Sequence, residues 1–395
     1  MKNLETLIQE LCPDGVEFVK LGDVCEIKGR IGFRGYTRKD LVSESEGAIT
    51  LSPSNIINGN IVYDKCSYIS WAKYEESPEI MAEVGDVVFT KTASVGKTAY
   101  IENMPKEMTI NPQLVLLKKF RGISKYLAYI LKTTYFQNEV KKFTGVGSVP
   151  NVPQSSLAKI EIPLPPIEVQ TEIVRILDKF TSLEAELEAE LDCRKRQYEY
   201  YRDKLLSFDN VGGQEVEWKT LGELAEIGTG SSNTKDGLSE GLYPFYTRGQ
   251  EVLRKNEYEF DDEAIITAGD GVGVGKVIHY VKGKYALHQR AYRFKPGDLL
   301  NARFLYFYMT STFYKYVCGN SVSSSVSSLR KPRLLKYPIP LLPMQEQIRI
   351  VSILDRFESL TTSLQSGLPA EITARRQQYE HYRDKLLTFK RKGAA

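Results

Sequence analysis

Residues 162–183 read IPLPPIEVQTEIVRILDKFTSL, and residues 339–360 read IPLLPMQEQIRIVSILDRFESL, the same pattern 177 positions later. A second pair follows. RKRQYEYYRDKLLSF at 194–208 returns as RRQQYEHYRDKLLTF at 375–389, now 181 positions on, so the second copy has gained four residues between its blocks. Upstream, VEFVKLGDVCEIKG at 16–29 is similar to VEWKTLGELAEIGT at 216–229. The chain is therefore an internal duplication, each half a globular segment followed by a helical one.

Within 167–208 the apolar residues include Ile173, Leu177, Phe180, Tyr198, Tyr201 and Leu205, spaced mostly by three and four, which predicts an amphipathic helix. Pro163, Pro165 and Pro166 stand just before it, where proline is tolerated at a helix start. At 1.5 Å per residue such a rod would measure roughly 60 Å. The second copy repeats the stripe at Ile350, Leu354 and Phe357, then at Tyr379, Tyr382 and Leu386. Gly367 and Pro369 interrupt it and predict a kink or break. Two such rods most simply pack as an antiparallel coiled coil; the plainer alternative is that each packs on its own domain.

The globular segments hold short β-rich runs, GDVVFT (85–90), TAYI (98–101), EAIITA (263–268) and GKVIHYV (275–281). Each closes on a predicted helix, over 124–143 and 302–317, followed by a Gly/Ser-rich loop at 144–153 or 319–328. Those loops are either flexible connections or contacts for a nucleic-acid backbone. The expected fold class is α+β: two mixed α/β domains, separated by two long helices packed as an antiparallel coiled coil, with a pseudo-twofold internal repeat. The expected divisions are 1–160 (with a helix over 1–12), 161–210, 211–335 and 336–395.

The 395 residues carry a net charge of only +3, which conceals a partition. Residues 1–86 carry −6 and 87–160 carry +8, while 211–263 carry −7 and 264–335 carry +9. Two strongly basic segments are the footprint expected of a protein touching two stretches of phosphate backbone, although each could simply neutralise its own domain. Candidate DNA-contacting residues lie in the loops: Arg30, Arg34 and Tyr36, then Lys91, Thr92, Ser94 and Lys97, and in the second half Asn233, Arg248, Lys276, Gln289 and Arg290. Arg, Lys, Asn and Gln match the hydrogen-bonding edges of bases in the major groove.

Catalytic motifs do not hold up. ASVGKTAY (93–100) lacks the first glycine of a P-loop, that place being Lys91, and GVGVGKV (271–277) lacks its Ser or Thr. Asn111-Pro112-Gln113 is only half of the amino-methyltransferase tetrapeptide. His279 and His288 have no neighbouring cysteines and read as ordinary surface or core histidines. Five widely spaced cysteines suit a reducing cytoplasm. The opening MKNLETLIQELCPDG carries acids and predicts no signal peptide, and no run of 18 apolar residues predicts a membrane span.

The duplicated blocks, together with LCPDGVEFVKLGDV (11–24) and NGNIVYDKCSYIS (58–70), resemble the specificity subunits of type I restriction–modification systems. The resemblance covers essentially the whole chain. It implies two target-recognition domains held apart by conserved helices, each reading one half of a bipartite site on double-stranded DNA. It further implies that the helices dock two methyltransferase subunits, with restriction subunits joining the complex. S-adenosylmethionine and ATP would sit on those partners, with no cofactor and no catalysis on this chain. Helix residues expected to serve partner docking or the frame are Gln170, Ile173, Leu177, Phe180, Tyr198, Tyr201, Leu205, Gln347, Ile350, Leu354, Phe357, Tyr379, Tyr382 and Leu386. Other readings are a recognition subunit of a type IIB system, or a duplicated helical scaffold that binds only proteins. The recognition segments differ within the chain, so the half-sites should differ. The tandem LEAELEAEL at 183–191 is either a plain leucine stripe or a ruler for the gap between half-sites.

Overall fold

The computed structural model describes residues 4–30, 35–145, 149–208, 216–319, 328–362 and 367–393. The chain divides into two compact units, one of 1–186 with 373–395 and the other of 187–372. Each unit thus takes one globular segment and half of each helical block.

In unit 1, strand Leu114–Lys118 lies between Glu26–Lys28 and Val87–Thr90, with Thr98–Tyr100 beyond. A second four-stranded sheet runs Met108–Ile110, Gly47–Leu51, Ser67–Ser70, Leu41–Val42. Every side chain of Val87–Thr90 and Leu114–Lys118 is buried, because apolar clusters cover both faces. The predicted helix over 124–143 is two helices, Ser124–Leu131 and Thr134–Phe143. Thr133 separates them: its Oγ1 accepts the Phe136 N–H and so starts a new helix. In unit 2 a six-stranded sheet runs Ala225–Thr229, Ala291–Pro296, Phe260–Ala268, Ile278–Leu287, Tyr243–Tyr246, Leu253–Lys255. Helix Ala302–Cys318 contributes Phe304, Leu305, Phe307, Met309 and Phe313 to the core of that unit.

The duplication persists in hydrogen-bond register. Phe18 faces Pro163 and Val19 faces Ile162 in unit 1; Trp218 faces Pro340 and Lys219 faces Ile339 in unit 2. Gly22 then meets Ala158, and Gly222 meets Leu335, where an added Cβ would stand 2.8 and 2.7 Å from those side chains. The helical blocks start alike too. Gln170 Oε1 accepts the Ile123 N–H at 3.0 Å while its Nε2 donates to the Pro165 carbonyl. Gln347 accepts the Asn301 N–H at 2.8 Å and donates to the Leu342 and Leu299 carbonyls. Ile123 and Asn301 are the N-cap residues of the helices at Ser124 and Ala302. Each glutamine therefore ties a helical block to its domain. Both are buried. Gln347→Ala should lower the unfolding free energy of unit 2 by about 2–3 kcal/mol, since buried groups lose their partners; urea denaturation followed by circular dichroism measures it.

The first helical block is one unbroken helix, Ile167–Leu205. The second is two, Met344–Thr362 and Gly367–Leu386, and Gly367 has φ +77°, which places the break where glycine and proline predicted one. Ile173 and Leu177 pack into the unit 1 core, as Ile350 and Leu354 do in unit 2, so the starts of the blocks bury against their own domains. Further along, the blocks exchange partners. Phe180 stacks on Tyr382 at 5.6 Å and leans on Tyr379, while Glu184 pairs with Arg376, so the two segments run in opposite directions within unit 1. In unit 2, Phe357 stacks on Tyr201 at 5.8 Å and leans on Tyr198. Leu386 and Leu205 flank the cores of units 1 and 2 respectively. Among the described residues, no helix is long and apolar enough to cross a membrane.

Candidate nucleic-acid interface

At one end of a pair of neighbouring antiparallel strands each unit builds the same turn. In unit 1 strand residue Thr90 faces Leu114, and in unit 2 Ala268 faces Ala291. The residue after each strand end donates its N–H across to the turn, Lys91 to the Gln113 carbonyl and Gly269 to the Arg290 carbonyl, both at 2.9 Å. A later segment then closes over it: the Val152 N–H bonds the Lys91 carbonyl, and the Leu329 N–H the Gly269 carbonyl, each at 2.8 Å. The turn itself is Asn111-Pro112-Gln113 in one unit and His288-Gln289-Arg290 in the other. Asn111 Oδ1 accepts the Gln113 N–H at 3.0 Å, and His288 Nδ1 accepts the Arg290 N–H at the same distance. Different chemistry makes one bend, and the tip residue is Gln113 or Arg290.

In unit 2 the turn lines a cleft of about 350 Å³ with Asn233, Thr234, Lys235 and Arg248. Four of the five residues selected in this half, Asn233, Arg248, Gln289 and Arg290, therefore share one surface. The Asp270 carboxylate holds two of them, accepting from Arg248 at 2.8 Å and Arg290 at 3.1 Å. Burial opposes its ionisation, yet these two bonds carry its carboxyl below the ordinary range. Gln289 Nε2 donates to Asn233 Oδ1. Lys276 does not join the cleft; its ammonium lies over the Tyr314 ring at 5.5 Å.

Desolvation pushes the pKa of His288 down, and neighbouring Arg248 adds to this. The neutral ring, with Nδ1 free to accept, is the form that holds the turn. Because its pKa is lower folded than unfolded, its contribution is complete above about pH 6.5 and is lost as pH falls through the depressed value. Unit 2 of the wild type should therefore lose stability below that pH, and His288→Asn, which reproduces the unit 1 turn, should flatten the loss. Thermal melts between pH 5 and 8 compare the two.

Unit 1 presents a less charged site. Thr92 Oγ1 donates to Asn151 Oδ1 at 2.7 Å, and Asn111 Nδ2 donates to Gln113 Oε1 at 3.1 Å. The half-buried Lys91 ammonium has its pKa lowered by desolvation. Ser94 is exposed in the loop that follows, and Lys97 Nζ donates to the Pro53 and Ile56 carbonyls. Arg30 is turned inward: it is 5% exposed, donates to the Ile110 carbonyl and Thr109 Oγ1, and lies 5.2 Å from the Tyr36 ring. Tyr36 in turn accepts from Thr50. Arg30 and Tyr36 thus both bond to strands of one sheet. Arg34 lies outside the described residues, as do most of 319–328 and 146–148 of the other loop.

Gln113, Asn111, Asn151, Asp270 and His288 were missed by residue-type reasoning. The signal was available, because the 177-residue offset of the helical blocks also superimposes Asn111-Pro112-Gln113 on His288-Gln289-Arg290.

A doubled α+β unit whose repeat extends from helix start to turn tip defines the class. The chain belongs to the family of the type I restriction modification DNA specificity domain, whose model matches residues 13–192 and again 214–374. The specificity subunit of the type I restriction enzymes EcoR124I and EcoR124II from Escherichia coli is 36% identical over 261 residues, covering 59% of this chain and 64% of that subunit. This chain thus spans under two thirds of that relative's length. Among solved structures, the S subunit of a type I restriction–modification system from M. genitalium aligns at TM-score 0.55 and 16% identity, covering 94% of this chain and 96% of that one. A chain solved in work on complex assembly and conformational transition of the type I R-M system aligns at TM-score 0.60 and 19% identity, covering 94% and 97%.

Proposed function

We propose that the chain is the DNA-reading subunit of a type I restriction–modification complex, acting in the cytoplasm and carrying no chemistry of its own. Its globular segments, 1–160 and 211–335, would each read one half of an asymmetric bipartite site. The observation that carries this reading is the turn built twice on one backbone plan with different tip residues, inside the basic part of each segment. One plan with two side chains suits two related but unequal half-sites. Arg248, Gln289, Asn233 and Arg290 in unit 2, and Lys91, Thr92, Ser94 and Lys97 in unit 1, supply the donors, Lys276 adding charge.

The helical blocks, 161–210 and 336–395, would form the antiparallel coiled coil that sets half-site spacing and receives partners. Exposed apolar residues recur at matching places in both copies, Ile167 with Met344 and Leu183 with Leu360. Equivalent surfaces on two copies suit two copies of one partner, the methyltransferase subunit, which would carry S-adenosylmethionine. Restriction subunits would bring ATP.

The test is duplex binding at rising salt. Affinity should fall by orders of magnitude between 50 and 200 mM salt if several phosphates are contacted. Salt-independent or absent binding would leave the protein-binding scaffold. Subunits that co-purify separate a type I complex from a type IIB one.

A further inference from the structure

We propose that Gln113 and Arg290 are the specificity-determining residues of the two units, Gln113 selecting adenine and Arg290 guanine at the corresponding place in each half-site. This rests on the DNA-reading function proposed above. The two side chains leave the same turn: each stands immediately before a strand, with its N–H held by the residue two before, at 3.0 Å in both units. Each is also tied at its carbonyl to the residue following the neighbouring strand. Whatever the backbone of one turn approaches, the backbone of the other can approach in the same way.

Neither residue suits phosphate neutralisation. Gln113 has no charge. Arg290 has one, but the Asp270 carboxylate stands 3.1 Å from its Nη1 and would repel a phosphate oxygen. Both suit a base edge. Asp270 engages one of five guanidinium N–H groups and fixes the plane of the fork, leaving a pair of donors for guanine O6 and N7. Asn111 plays the same part for Gln113. Its Nδ2 holds the Oε1 at 3.1 Å, leaving the second lone pair and the Nε2 hydrogens for adenine N6 and N7. In each case a neighbour orients the reading group before DNA arrives, which reduces the ordering cost of binding.

The experiment selects bound duplexes from a randomised library with the full chain, in the complex in which it purifies, and sequences them. Arg290→Gln should convert one guanine of one half-site to adenine, with a change in preference of about tenfold or more, and leave the other half unchanged. Gln113→Arg should do the converse in the other half. Should Arg290→Gln fail to fold, Arg290→Ala removes the fork altogether and should lose the guanine preference at that one position while leaving the other half-site unchanged. An unchanged selected sequence with uniformly weaker binding, or altered preferences scattered over both halves, overturns the assignment. A wild-type chain that enriches no sequence overturns the DNA-reading function itself.

Discussion

Arg293→Met should lower the unfolding free energy of unit 2 by about 3–5 kcal/mol, the cost of removing one member of a buried ion pair. Arg293 sits on the strand Ala291–Pro296, between Gly228 and Ile266 on its two neighbours. Its side chain is 5% exposed and its guanidinium lies 4.4 Å from the Phe260 ring. It donates to Asp262, to the Tyr285 hydroxyl and to Glu226. Glu226 reaches water and would relax, but Asp262 would be left as an uncompensated charge, with only the Tyr285 hydroxyl among the described residues still donating to it. The double variant Arg293→Met with Asp262→Leu should recover most of the loss, because replacing both partners removes the stranded charge. Urea denaturation of the three proteins decides it: a loss below 1 kcal/mol in the single variant would mean that water reaches Asp262.

On the DNA-reading function proposed above, inserting one further Leu-Glu-Ala-Glu unit after residue 190 should lengthen the preferred gap between half-sites by one to two base pairs. The helix runs unbroken through this tandem, so four added residues extend the rod instead of bulging from it. They add about 6 Å and about 40° of rotation, against roughly 3.4 Å per base-pair step. Binding or methylation across a series of spacers, wild type against insertion, reads the shift of the optimum. An unchanged optimum would reduce the tandem to a leucine stripe.

The tandem is local, and helical periodicity exposes it directly. Arg293 is one of 53 basic residues and nothing nearby singles it out; its importance comes from Asp262 and Glu226, which are adjacent only once three strands have paired in register. Arg30 teaches the same lesson in reverse. It looked like a loop cation available to DNA, and the fold commits it to the Ile110 carbonyl. In the second half the loop residues converge on one cleft because strand ends meet there, which residue type alone could not establish.

Residue order alone establishes that the chain is doubled, where the helical blocks begin, where the second one breaks and how charge divides within each globular segment. All of these are local or periodic properties, carried by helix spacing, by proline and glycine, and by a repeat offset. That Phe180 meets Tyr379 and Tyr382 while Phe357 meets Tyr198 and Tyr201 emerges only from the packed chain. The repeat offset aligns Gln113 with Arg290, and the folded chain shows that both leave one backbone plan. Side-chain partners across long chain separations are chosen by strand register and burial, and an asparagine and a histidine that hold the same bend share no residue-type signal.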